Sequence, residues 1–176
     1  GWVTLHAGIA GGADIILLPE IPYDIDVIAD AINRRKAAGK RFTIIAVAEG
    51  AISKKDAKLS KKELKAKKEK EKYPSVAYEL AERVQKKTDQ EVRITVPGHT
   101  QRGGSPCPYD RVLATRLGAA AAEAILEGDF GCMVGVSNNK IIRVPLSEVA
   151  GKLKYVDPDS EIIKEAKLTG ISFGDE

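Results

Sequence analysis

Two short runs with almost no polar interior, "DIILLPE" at residues 14–20 and "FTIIAVAEG" at residues 42–50, constrain this chain more than any other feature. Neither alternates apolar with polar residues, so each, if a strand, must be covered on both faces. Strands covered on both faces belong to a parallel sheet held between layers of helix. The flanking residues agree. Residues 2–9 carry apolar side chains at helical spacing and stop at Gly11-Gly12. Asp24 suits the N-cap of a helix with Val27, Ile28, Ala31 and Ile32 on its apolar face, and Gly39 suits its end.

The pattern continues. Residues 74–88, "PSVAYELAERVQKKT", form an amphipathic helix with Val76, Leu80 and Val84 on one face and Pro74 in its first turn. Residues 91–98, "EVRITVPG", read as a third strand. Residues 109–127 read as an Ala- and Leu-rich helix closed by Gly128. Residues 132–146 suit a hairpin turning at 137–139, and the tail carries short helical pieces broken at Asp157-Pro158. The expected fold is α/β: a Rossmann-like three-layer domain with a mostly parallel sheet flanked by helices. At 176 residues it suits one domain, residues 1–176.

One segment breaks the pattern. Residues 53–72, "SKKDAKLSKKELKAKKEKEK", are Lys- and Glu-dominated and hold almost nothing for a core, as expected of a solvated helix or mobile excursion. Its interleaved acids and lack of aromatics argue against nucleic acid as the partner, and aromatics make up only 5% of the chain. The net charge of +3 fits anionic metabolites without naming one. Cys107 and Cys132 are widely spaced free thiols, with no CxxC or Cys/His cluster to hold a metal. No apolar run reaches membrane-spanning length and no leader pattern opens the chain, so a cytoplasmic protein is expected. The first residues, "GWVTLHAG", already lie inside an apolar pattern, as expected of a piece of a longer chain.

Ligands of open parallel sheets sit outside the carboxyl ends of the strands. Glu49 ends the second run, Arg93 lies within the third, and "VPGHTQRGGSPCPYDR" at residues 96–111 brings His99 and Arg102 beside Gly103-Gly104. A carboxylate accepts hydrogen bonds from sugar hydroxyls, and a guanidinium clamps phosphate with its planar fork. Each residue has a plainer reading: Glu49 as a strand end in water, Arg93 as a solvated strand residue, His99 as a loop histidine. Arg102 in a glycine-rich turn is the hardest to explain without an anion. His6 reads as structural. The glycines match neither a dinucleotide fingerprint nor a P-loop.

"GHTQRGGSPCPYDR" closely resembles the signature segment of the 6-phosphofructokinases, and "AGIAGGADIILLPE" and "IIAVAEG" resemble two flanking blocks in the same order. The resemblance runs from Trp2 to about Leu146. It implies the C-terminal, fructose 6-phosphate-binding half of such an enzyme, a phosphotransferase of glycolysis acting on the sugar 1-hydroxyl. It further implies that Glu49, His99 and Arg102 bind the sugar phosphate, and that Arg93 reaches into a neighbouring subunit's site in a homo-oligomer. No catalytic residue is expected within the chain. The donor is ATP or pyrophosphate, and Mg2+ would arrive with it through the missing N-terminal half, so the chain alone is expected to be inactive. Gly12, Asp14 and Lys40 match positions near the effector site of allosteric relatives, although Ala38 and Phe42 replace polar residues there. An alternative is a non-catalytic sugar-phosphate-binding regulatory module on the same half.

Overall fold

The computed structural model describes residues 1–70 and 72–176; Glu71, within the Lys/Glu-rich excursion, lies outside the described residues. The chain divides into two compact units, Gly1–Thr95 with Tyr155–Glu176, and Val96–Lys154.

In the first unit the apolar runs do form parallel strands. β1 (Ile15–Leu17) pairs with β2 (Ile45–Val47), Ile16 opposite Ala46. Both are shorter than their apolar runs because ladder pairing extends over three residues only. A bridge from Ile15 to Ser172 adds the tail on the other side of β1. Successive side chains of β1 feed opposite faces, as strand geometry demands. Ile15 and Leu17 join Ile28, Ala31 and Ile32 of α2 (Ile25–Ala37) and Leu80 and Val84 of α4 (Val76–Thr88). Ile16 and Leu18 join Leu5 of α1 (Trp2–Ala10) and Ile163 and Ala166 of α7 (Glu161–Leu168). Helices therefore cover both faces, and the α/β expectation holds as a three-layer arrangement.

Local signals set the helix ends. The Asp24 carboxylate accepts from the Asp26 N–H at 3.0 Å, the expected cap of α2. Pro74, expected in the first turn of α4, instead precedes its N-cap, Ser75. Within the excursion, α3 (Lys61–Lys70) starts at a reciprocal cap. Glu63 accepts from the Ser60 N–H at 2.8 Å, and Ser60 Oγ accepts from the Glu63 N–H at 3.3 Å.

The expected third strand is absent. Residues 91–97 take no strand conformation. Alternating Val, Ile and Val favour extended backbone, but a strand exists only by pairing, and no described segment offers this run a ladder. Arg93 accordingly lies in an unpaired, exposed stretch.

The second unit holds α5 (Pro108–Leu126), the antiparallel pair β3 (Cys132–Ser137) and β4 (Lys140–Pro145), and α6 (Leu146–Val149). The hairpin turns at Asn138-Asn139, both with positive φ, the type I′ geometry that matches strand twist. Arg116 of α5 donates to Asn139 Oδ1 at 3.1 Å and to its carbonyl at 2.6 Å, tying helix to turn. Among the described residues no helix is long and apolar enough to cross a membrane.

Candidate anion sites

Glu49 leaves β2 on a tight turn in which the Ala51 N–H donates to the Ala48 carbonyl at 2.9 Å. The Ala48 N–H donates to Leu17 O, also at 2.9 Å, so the turn is anchored to β1. Glu49 is exposed there, and its carboxylate has no hydrogen bond or ion pair among the described residues. Arg93, also in the first unit, pairs through Nε with Glu91 Oε1 at 3.0 Å, with both side chains largely in water. Among the described residues no hydrogen bond or ion pair links Glu49 to Arg93.

In the second unit His99 and Arg102 share a 3-10 turn, Gly98–Arg102. Three residues per turn eclipses side chains at i and i+3, so the imidazole and guanidinium stand on one face. Both are exposed and without a protein partner among the described residues. The Thr100 N–H closes onto Pro97 O and the Gly103 N–H onto Thr100 O, each at 3.1 Å, and Gly104 turns the chain at φ +93°. Next, Asp110 accepts from the Cys107 N–H at 2.9 Å and Pro108 opens α5. That hydrogen bond from Cys107 holds the Asp110 carboxyl below the ordinary aspartate range. The sequence-derived set thus comes together as His99 with Arg102.

The candidate effector positions differ from one another. Gly12 and Lys40 are exposed. The Asp14 carboxylate is engaged inside the fold, with Arg35 at 2.8 Å and the Ile44 N–H at 2.8 Å. Arg35 also donates to Thr43 Oγ1 and Phe42 O, each at 3.3 Å, so Asp14 and Arg35 together pin the approach to β2. Among the described residues no three His, Cys, Asp or Glu side chains gather to hold a metal ion.

A second basic locus, not read as a site from the sequence, lies in the first unit beyond the carboxyl ends of β1 and β2. The Tyr23 N–H donates to Ile52 O at 3.0 Å and the Lys54 N–H to Tyr23 O at 2.7 Å, prolonging the parallel alignment of the strands. Above buried Tyr23 and Ser53 opens a cavity of about 300 Å³. Lys54, Lys55, Arg83, Lys86 and Lys87 line it, with Asp24 at the start of α2. Arg83 pairs with Glu79 at 2.7 Å, Lys86 with Glu82, and Lys87 with Asp26. The Glu82 hydrogen bond raises the Lys86 ammonium above its ordinary range. The only sequence trace of this cleft was two Lys-Lys pairs, at 54–55 and 86–87, from segments 30 residues apart.

The family model described as phosphofructokinase matches residues 1–125. The chain is 50% identical over 175 residues to an ATP-dependent 6-phosphofructokinase of Spirochaeta thermophila, covering 99% of the chain and 48% of that protein. An ATP-dependent 6-phosphofructokinase of Chloroflexus aurantiacus is 44% identical over 176 residues, 100% of the chain and 48% of that protein. A pyrophosphate–fructose 6-phosphate 1-phosphotransferase of Amycolatopsis methanolica is 42% identical over 160 residues, 90% of the chain and 46% of that protein. The chain spans about half the length of the curated relatives it matches. Among solved structures, the T-state phosphofructokinase of Pichia pastoris superposes with a TM-score of 0.62 at 35% identity, over 84% of this chain and 16% of that one. A pyrophosphate-dependent phosphofructokinase of Marinobacter aquaeolei shares the fold, with a TM-score of 0.70 at 20% identity over 98% of this chain and 45% of that one.

Proposed function

Because the chain belongs to the phosphofructokinase family, we propose that it supplies the fructose 6-phosphate-binding half of a 6-phosphofructokinase. The observation that carries this reading is the 3-10 turn Gly98–Arg102, which leaves an imidazole and a guanidinium on one face with no protein partner among the described residues. A group with such strong hydrogen-bonding capacity, left unpaired beside a glycine turn, is well suited to an incoming anion.

In this reading Arg102 clamps the sugar phosphate with its planar fork and His99 donates a further hydrogen bond. Glu49, exposed on its anchored turn, accepts from sugar hydroxyls. Arg93 acts on the site of a neighbouring copy in a homo-oligomer; its exposure and loose pairing with Glu91 leave it available to do so. Gly12, Asp14 and Lys40 remain candidate effector contacts, with Asp14 needing release from Arg35 first. None of these residues is a general base. The donor, ATP or pyrophosphate, and the Mg2+ that accompanies it are held mainly by residues outside these 176. The full enzyme is read as a cytoplasmic glycolytic transferase. Phosphoryl transfer depends on positioning and charge neutralisation around the donor, so the 176-residue chain by itself is inactive.

Two measurements test this. In the full-length enzyme Arg102→Ala should weaken fructose 6-phosphate binding at least about tenfold, as expected for losing a charge-assisted bidentate contact, and leave donor binding nearly unchanged. An unaltered sugar-phosphate affinity would overturn the assignment. Measurable turnover by the purified 176-residue chain would overturn its predicted inactivity.

A further inference from the structure

We propose that the basic cleft of the first unit is a second ligand site, one for a small phosphorylated anion, lined by none of the residues assigned to the sugar phosphate above. Its place is what topology favours, beyond the carboxyl ends of parallel strands. Its chemistry is what sequence order disguised. Two lysines follow β2 and three cations come from α4, so no single segment carries the site.

The charges decide which anion fits. Lys55 has no carboxylate partner among the described residues, and Lys54 donates to a backbone carbonyl, that of Asp175, at 2.7 Å. Glu79, Glu82 and Asp26 hold the three cations of α4, but Glu82 and Asp26 do so at exposed positions. Exposed pairs are weak enough for an incoming ligand to redirect the lysine. A single carboxylate would merely replace Glu82 or Asp26 and gain nothing. A phosphoryl group brings nearly two negative charges and three acceptor oxygens, enough to draw Lys86 and Lys87 from their partners while engaging Lys55. A cavity of about 300 Å³ holds a metabolite-sized anion and is too small to seat a nucleic-acid duplex.

The test uses inorganic triphosphate as the probe and calorimetric titration of the chain at low and at physiological salt. One equivalent should bind, more weakly in salt. Lys55→Glu should lower affinity at least about tenfold, and Lys86→Gln several-fold; Lys55 is exposed, and far-UV circular dichroism checks that both variants fold. Glu82→Gln and Asp26→Asn, which release Lys86 and Lys87, should raise affinity, a change that a merely structural cluster would not give. Absence of binding, indifference to Lys55→Glu, or weaker binding on removing either carboxylate overturns the proposal. So does displacement of triphosphate by random-sequence duplex DNA at equal phosphate concentration. In the full-length enzyme Lys55→Glu should leave fructose 6-phosphate affinity unchanged, so the two sites fail or succeed independently.

Discussion

Replacing Gly174 with alanine separates backbone strain from packing, because the structure offers a matched control in Gly39. Both residues lie in the first unit and both have positive φ, +72° at Gly174 and +77° at Gly39. A Cβ at Gly39 meets nothing within 4 Å. At Gly174 it would stand 3.0 Å from Tyr23 Cβ, 3.1 Å from Leu17 Cδ2 and 3.2 Å from Ile28 Cγ1. Tyr23, Leu17 and Ile28 are at most 2% exposed, so none has room to yield. The Asp24 N–H also donates to Gly174 O at 2.7 Å, which fixes the tail against the start of α2. Left-handed backbone costs alanine about 1–2 kcal/mol. The stiffer unfolded chain returns about 0.4–1 kcal/mol of that. Gly39→Ala should therefore cost roughly 0.5–1 kcal/mol. Overpacking adds about 1–3 kcal/mol at Gly174, for a total of roughly 2–4 kcal/mol. Urea titration followed by the fluorescence of Trp2, the sole tryptophan, reads the unit that holds both glycines. With a urea slope of about 1–3 kcal/mol per molar, the two midpoints should separate by about 1 M, Gly174→Ala the lower. Coincident midpoints would refute the tight closure of the tail on Tyr23 and Leu17.

Other expectations concern the core and the binding turn. Ile16→Ala, at a fully buried position between α1 and α7, should cost about 2–5 kcal/mol, whereas Leu168→Ala, 87% exposed in the same unit, should change stability by less than about 0.5 kcal/mol in the same titration. The Asp110 carboxyl is held below its ordinary range by the Cys107 N–H, so its folded pKa lies under its unfolded one. Its contribution is present above the unfolded value and is lost as pH falls through the folded value, below 3.8. Protection of the Cys107 amide from exchange, taken relative to the intrinsic rate at each pH, should fall over that acidic window, and Asp110→Ala should produce the same loss at neutral pH; unchanged protection would remove Asp110 from the capping box of α5.

Much of the architecture was legible because it rests on local patterns. Apolar runs without alternation marked buried parallel strands, and Asp24, Gly39 and residues 137–139 marked where elements begin, end or turn. Residues 91–98 show where that reasoning stops. Alternation measures suitability for a pleated surface, and only a neighbouring strand turns suitability into a ladder. The motif at 96–111 was equally legible as chemistry, since a histidine and an arginine at i and i+3 with a glycine pair can be read one residue at a time.

The amino-acid order by itself determined the α/β class, the family, and the residue types available for an anion. Tertiary structure decided which of those residues are left unpartnered. Asp14, a candidate effector contact, is engaged by Arg35 and the Ile44 N–H. His99 and Arg102 are left open on one face of a 3-10 turn. Lys55, from a run that reads as solvated charge, lines one cavity with the α4 cations. The reason is physical: propensity and hydrophobic period are properties of short segments, while pairing, burial and charge balance depend on residues far apart in sequence that only folding brings together.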